Sequence, residues 1–337
     1  MITSSRDRIN VQNAPQIPGL SFRRFRTEKD YPQMLEISNA CRQADEIKYS
    51  TSLEEIANHY EHLVNCDPYQ DMIFAEINGQ VIGYGRVFWE KLSDGIRVYN
   101  LFGNLHPEWR RRGIGTAMLL YNESRLRQIA AEHPQDGPRF YQSWAADTEI
   151  STKSLLESQG YEPVRYEFDM VRDLNEPFPD APLPEGIEIR PVKPEHIWQV
   201  FRSADEAFQD HWGYRATPDE EFEGWMKDPN FRPELWKVAW DGGQVAGSVT
   251  NFYNPVENEK FNRKRGYTEG ISTRRPWRKR GLATALIVES MKMFKQMGMT
   301  ETAHGVDAEN TSGALNLYRK LGYKVAKQYT TFRKPMD

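Results

Sequence analysis

Trp109-Arg-Arg-Arg-Gly-Ile-Gly115 and Trp277-Arg-Lys-Arg-Gly-Leu-Ala283 are two versions of one motif in a single chain. Each opens a helical pattern: Ala117, Leu119, Leu120 and Leu126 follow the first, and Ala285, Leu286, Val288, Met291 and Phe294 follow the second. Both sets fall at helical spacing, and a strand-like stretch precedes each motif. A strand that turns into a helix through small residues presents successive amide N–H groups at the helix start. Such a turn binds a pyrophosphate. Arg274, Arg275, Arg278, Lys279 and Arg280 add the positive charge that a polyphosphate ligand requires.

Working outward, three further pairs keep the same order. Leu20-Ser-Phe-Arg-Arg-Phe25 matches Ile187-Glu-Ile-Arg-Pro-Val192. Glu76-Ile-Asn-Gly-Gln-Val-Ile-Gly83 matches Trp240-Asp-Gly-Gly-Gln-Val-Ala-Gly247, and Leu155–Tyr161 matches Leu317–Tyr323. The offsets stay near about 165 residues, the mark of a duplicated domain. We expect one domain over 18–174 and another over 187–337. Between them, 175–186 reads as a proline-rich, semi-rigid linker with Pro177, Pro179, Pro182 and Pro184. Each copy reads as strand, two helices, a three-strand antiparallel meander, helix, strand, helix and closing strands. The fold class is α/β, with a mixed, largely antiparallel sheet flanked by helices.

The 337 residues suit two cores. A net charge of −4 supplies no global field for nucleic acid, and Lys260-Phe-Asn-Arg-Lys-Arg265 reads as a solvated hairpin loop. Cys41 and Cys66 are too few for a disulfide framework and match no metal-ligand spacing. Without a signal-like opening or a membrane-length apolar run, the expectation is a cytoplasmic protein that engages neither membrane nor nucleic acid. Its state is expected to be monomer or homodimer.

No Gly-Lys-Ser/Thr follows either turn, which excludes a nucleoside triphosphate loop, and Gly113-Ile-Gly115 leaves the dinucleotide fingerprint incomplete. The turns do resemble the acetyl-CoA-binding motif of the GNAT acetyltransferase superfamily. The likeness continues through Val306-Asp-Ala-Glu-Asn-Thr-Ser-Gly-Ala-Leu-Asn-Leu-Tyr-Arg-Lys-Leu-Gly-Tyr323, similar to that family's asparagine, leucine-tyrosine and glycine-aromatic signature. Two such domains in tandem resemble, more loosely, the mycothiol synthase group.

This resemblance implies acetyl-CoA as cofactor and an N-acetyltransferase acting on a small-molecule amine in a ternary complex. Tyr318 stands where the family places its general acid, and a phenol near about 10 outlasts a thiol near about 8.5 in keeping its proton. Glu269, on the strand entering the turn, is a candidate base, with an ordinary surface carboxylate as the competing reading and His304 as a second candidate. The cofactor set is Ile271, Ser272, Thr273, Arg278, Lys279, Arg280, Gly281, Leu282, Ala283, Thr284 and Asn310, with Arg110, Arg111, Arg112, Gly113, Ile114, Gly115 and Thr116 in the first copy. Asn310 has a second reading as a helix cap. Phe208, Asp210, His211 and Trp212 are expected on the acceptor side. Aligning Gly160 with Gly322 puts Leu156 opposite Tyr318 and Thr148 opposite Asn310. The first copy is therefore expected to keep a cofactor turn without the acid. The rival reading is a non-catalytic acyl-CoA sensor.

Overall fold

A computed structural model describes residues 7–310 and 313–336. Positions 311 and 312 of the asparagine-containing stretch lie outside the described residues. In chain order, the first copy runs β1 (Arg8–Ile9), β2 (Leu20–Arg23), α1 (Tyr31–Ala44), α2 (Leu53–Glu61) and α3 (Pro68–Asp71). It continues with the meander β3 (Met72–Ile77), β4 (Gln80–Lys91) and β5 (Arg97–Leu105), then α4 (Ile114–Ala131), β6 (Arg139–Ala146), α5 (Ile150–Ser158) and β7 (Glu162–Asp173). The second copy repeats the plan. It has β8 (Glu188–Arg190), α6 (Ile197–Phe208), α7 (Asp219–Met226), β9 (Lys237–Asp241), β10 (Gln244–Phe252) and an added α8 (Pro255–Lys260). Next come β11 (Arg265–Thr273), α9 (Leu282–Gln296), β12 (Glu301–Asp307), α10 (Ala314–Lys320) and β13 (Lys324–Pro335).

The chain divides into two compact units, and these do not coincide with the sequence copies. Residues from 165 onward join the second unit, and residues from 330 onward return to the first. In the second unit β7 pairs antiparallel with β12, from Glu167 opposite Asp307 to Asp173 opposite Glu301. The sheet continues β12-β11-β10-β9-β8, with β11–β12 parallel and the other strands antiparallel. The first unit's sheet runs β1-β2-β3-β4-β5-β6 and takes the tail of β13 beside β6. Phe332 of that tail packs with Leu126, Leu156 and Tyr161, and the Met336 amide bonds Arg139. Each copy thus gives its last strand segment to the other unit.

The stretch 175–186 is packed, not a free spacer. Phe178, Ala181 and Leu183 lie against the second core with Leu286 and Phe294. The Ile187 amide closes a turn on Pro184, just as Leu20 does on Ile17 in the first copy. Ala14-Pro15-Gln16-Ile17-Pro18-Gly19 and Ala181-Pro182-Leu183-Pro184-Glu185-Gly186 are therefore equivalent straps, and the repeat begins earlier than the strand motifs suggest.

Candidate active site

Both turns take the same backbone path. Lys279 (φ +62°) and Gly281 (φ +84°) are matched by Arg111 (φ +60°) and Gly113 (φ +81°). The left-handed glycine stands at the N-cap of α9 or α4, so the chain reverses directly into the first helical turn with its amides bare. Around Gly281, no atom lies within 4 Å of where a Cβ would project, whereas Pro15 of the first strap sits 3.6 Å from the same point at Gly113. Thr273, where β11 ends, has a buried hydroxyl with no hydrogen-bond partner among the described residues. Open amides and an uncovered glycine fit a coenzyme A pyrophosphate at the second turn.

The arginines divide differently from the sequence expectation. Arg278 donates from Nε to the Thr273 carbonyl (3.0 Å), from Nη1 to Asp210 (2.7 Å) and from Nη2 to the Ala207 carbonyl (2.9 Å). Arg110 does the same in the first unit, to Leu105 (3.3 Å) and to both oxygens of Asp45 (2.7 Å each). Both are struts tying the turn to the end of a helix, with one donor from each guanidinium nitrogen spent inside the protein. Arg275 also pairs with Asp210, and Arg274 with Glu206. Lys279 and Arg280 form no ion pair among the described residues, and Arg280 gives one donor to the Glu185 carbonyl at 3.2 Å. Asp210, expected on the acceptor side, is thereby placed at the turn, where Arg275 and Arg278 hold its carboxyl well below the usual range. The helix after Asn310 begins at Ala314 with Gly313 as N-cap, so Asn310 does not cap it.

The reactive face is organised by one extra residue. Along β10 and β11, Ser248 opposes Ser272 but Thr250 opposes Glu269, so Gly270 and Ile271 together face Val249. This is a β-bulge, and Gly270 (φ +55°) lets the strand make it. A Cβ there would stand 2.3 Å from the Thr250 hydroxyl. The bulge interrupts the ladder at Ile271, one of the residues expected to contact the cofactor, and Glu269 just before it lies beside Gly305 of β12. The Gly305 amide donates to Glu269 Oε1 at 3.1 Å. Glu269 is half-buried, and its carboxyl is raised to about 8. Burial is the main cause, and the charges of Asp169 and Glu167 on β7 add to it against the Gly305 bond.

Tyr318 is 7 % exposed and lies against the His304 ring, with centroids 4.0 Å apart. Burial pushes its phenol above the ordinary value, and Tyr323 and Glu269 push the same way. His304 cannot serve as the base for an incoming amine: it is 2 % exposed, alternates with Gly305 on β12 and so points away from Glu269, and burial lowers it to about 3. Of the acceptor-side residues, Phe208 packs edge-on against His211 at 4.5 Å, and exposed Trp212 lies under the Arg165 guanidinium at 5.4 Å. Arg165 in turn grips Asp307 with both nitrogens, at 2.8 and 2.7 Å. Sequence reasoning missed Arg165, Glu167 and Asp169 because they belong to the first copy's sequence. The Glu269-Gly270 pair inside a strand was a legible bulge signal.

The first unit has no such bulge: Gly83–Lys91 of β4 pair without a break with Leu105–Arg97 of β5. Phe88 opposes Asn100 as Phe252 opposes Tyr267, which fixes the equivalences. Phe102 takes the place of Glu269, Leu101 of Thr268, and Arg86 of Thr250. Across the parallel β5–β6 pair, Ser143 stands for His304 and Trp144 for Gly305. Buried Arg86 lies over the Phe102 and Tyr60 rings and bonds His59 at 2.9 Å, while Trp144 packs on Phe102. Aromatic rings and a guanidinium stand where the second unit has Glu269, Gly305 and Thr250.

Among the described residues, no helix is long and apolar enough to cross a membrane, and no group of three or more His, Cys, Asp or Glu is placed to hold a metal. Residues 197–323 match the acetyltransferase (GNAT) family and residues 68–163 a GNAT acetyltransferase domain, together well over half of the chain. A mycothiol acetyltransferase of Geodermatophilus obscurus is 28% identical over 260 residues, covering 75% of this chain and 79% of that protein. The crystal structure of a GCN5-related N-acetyltransferase from Sphaerobacter thermophilus superposes with a TM-score of 0.70 at 26% identity, covering 94% and 95% of the two chains. A tandem GNAT protein from the clavulanic acid biosynthesis pathway shares the fold, with a TM-score of 0.66 at 14% identity over 94% and 98%. The chain is an N-acetyltransferase of the GNAT family, built from two GNAT domains in tandem.

Proposed function

We propose that the second unit transfers an acetyl group from acetyl-CoA to a small primary amine by direct attack within a ternary complex. The observation that carries this reading is the bulge at Gly270, which sets a half-buried carboxyl titrating near about 8 beside the broken ladder. A carboxyl in that range takes a proton from an ammonium far more readily than one near 4. Bound acetyl-CoA supplies the acetyl group as a thioester, with coenzyme A as the leaving thiol. Glu269 holds the proton removed from the amine. Ile271 and its neighbours at the bulge offer main-chain N–H groups to the carbonyl oxygen. Tyr318, neutral in its buried setting, donates toward the departing sulfur.

Open amides at Leu282, Ala283 and Thr284, with Lys279 and Arg280 beside them, support a pyrophosphate seat; Asn310 is assigned to the pantetheine arm. Ser272 bonds Ser248 at 2.9 Å and steadies the strand end. Glu269 and Asp169, on either side of Gly305, make a face suited to a cationic amine, and Trp212 and His211 are assigned to the acceptor side. The first unit, with Phe102 and Leu156 in the reactive places, is assigned a structural role. The test is thiol release from acetyl-CoA across a panel of amines. Release that needs both an amine and Glu269 supports the reading. Tight acetyl-CoA binding with no release for any amine would replace it with a sensor.

A further inference from the structure

His304 is buried between two phenols. Its ring centroid lies 4.0 Å from that of Tyr318 and 4.3 Å from that of Tyr323, while the two tyrosines stand 6.1 Å apart. Nδ1 is 3.5 Å from the Thr268 hydroxyl, which is itself 3.0 Å from the Tyr323 hydroxyl. Nε2 is buried and has no hydrogen-bond partner among the described residues. Buried polar atoms are nearly always paired, and a phenyl ring would fill this space without the cost of desolvating an imidazole.

The first unit supplies an internal control. There the tyrosine corresponding to Tyr323 survives as Tyr161, with its hydroxyl turned to Glu123 at 3.0 Å. The other three members of the group are gone together: Leu156 for Tyr318, Ser143 for His304, and Leu101 for Thr268. The histidine therefore goes with the phenol assigned as acid, not with the tyrosine that both cores need.

We propose that His304 is a positioning residue for Tyr318, wedging its phenol in place and keeping an Nε2–H donor beside it. This rests on the acid role given to Tyr318 above. A neutral imidazole carries one N–H. With the Thr268 hydroxyl donating to Nδ1, that hydrogen sits on Nε2. As the amine nitrogen bonds the carbonyl carbon and the C–S bond breaks, sulfur takes the electron pair and the Tyr318 phenolic proton. That N–H offsets the charge left on the phenol until solvent returns a proton to it, which balances the second proton that the product nitrogen gives up to solvent. Burial keeps the imidazole neutral throughout, since it would charge only near about 3.

Two measurements test this. In a double-mutant cycle on the full chain, His304→Phe should lower kcat about tenfold, as loss of a charge-assisted hydrogen bond would. KM for acetyl-CoA and amine should stay within about twofold, and His304→Gln, which keeps an N–H, should regain part of the rate. In a Tyr318→Phe background the His304 change should cost nothing more. An unchanged kcat, or the same fractional loss in both backgrounds, overturns the proposal. Independently of turnover, nitrogen-15 spectra of histidine-labelled protein, with the His304 signals assigned by their loss in His304→Gln, should show a neutral Nε2–H tautomer unchanged between about pH 5 and 8. An Nδ1–H tautomer, or a ring that titrates in that range, also overturns it. If no amine is acetylated, the assignment of the site fails, while the tautomer still decides the state of His304.

Discussion

Where the second unit holds Glu269, Gly305 and Tyr318, the first holds Phe102, Trp144 and Leu156, yet both keep the same turn and the same strut beneath it. Arg278 with Asp210 and Arg110 with Asp45 make equivalent anchors to the preceding helix. The comparison separates what the fold needs from what the chemistry needs. A strand-to-helix turn with a left-handed glycine and an arginine strut is structural in both units. The bulge is not: without one residue the ladder closes, the side chains before that point shift register against the turn, and aromatic side chains replace Glu269 and Gly305. One residue in a strand therefore accounts for more of the difference than the loss of the tyrosine does.

The sharpest way to break this contrast is at Glu269. Glu269→Gln keeps the shape and the Gly305 contact but removes the base, and should lower kcat/KM by about 10³-fold. In the parent protein the rate should rise with pH through about 8, where the carboxyl ionises. The variant should lose that limb, a result read directly from pH–rate profiles. Stability should move the other way. A carboxyl raised in the folded state favours folding while protonated, and that contribution is lost as pH rises through about 8. Glu269→Gln should thus raise Tm more at pH 8 than at pH 4. A flat pH profile in the parent, or equal Tm changes at both pH values, would remove Glu269 from its role.

Next in size is the cofactor turn. Gly281→Asp puts a negative charge and a strained left-handed residue where the amides are open. Calorimetry should show acetyl-CoA binding weakened by more than about tenfold. Gly113→Asp should cost about 1–2 kcal/mol of stability for the same backbone strain. It should leave affinity and stoichiometry unchanged, because Pro15 lies against that turn. Equal weakening by both changes, with two sites per chain in the parent, would make the first unit a second cofactor site.

Much of this was readable in the sequence. The repeated Trp-Arg-x-Arg-Gly turns, the meander and the missing tyrosine at Leu156 all follow from local pattern, because helix and strand periodicities and glycine turns are local physics. Three features were not. Arg165 and Asp169 reach the second unit only because β7 pairs with β12, a long-range event that no window of sequence reports. Arg278 reads as a phosphate ligand until Asp210 and the Ala207 carbonyl are found within its reach. The proline stretch at 175–186 has linker composition, but Phe178 and Leu183 bury themselves. Composition reports what a segment can do alone, and burial depends on what it meets.

The smallest effect expected is the most informative about the first unit. Leu156→Tyr restores the residue whose absence first marks that copy as impaired, and a reading based on the acid alone predicts recovered activity. The structure predicts none. Leu156 is 2 % exposed and packs with Tyr161, Leu126 and Phe332, so a phenol there meets a filled core and should cost about 1–3 kcal/mol by overpacking. Even if accommodated, it would act in a unit with Phe102 in the place of a base and an unbroken β4–β5 ladder in the place of the bulge. Introduced into Glu269→Gln, where the second unit is silenced, Leu156→Tyr should leave thiol release at the level of the single variant. Recovery above that level would mean that the ladder opens in solution, and that the two units differ by their acids and not by the bulge.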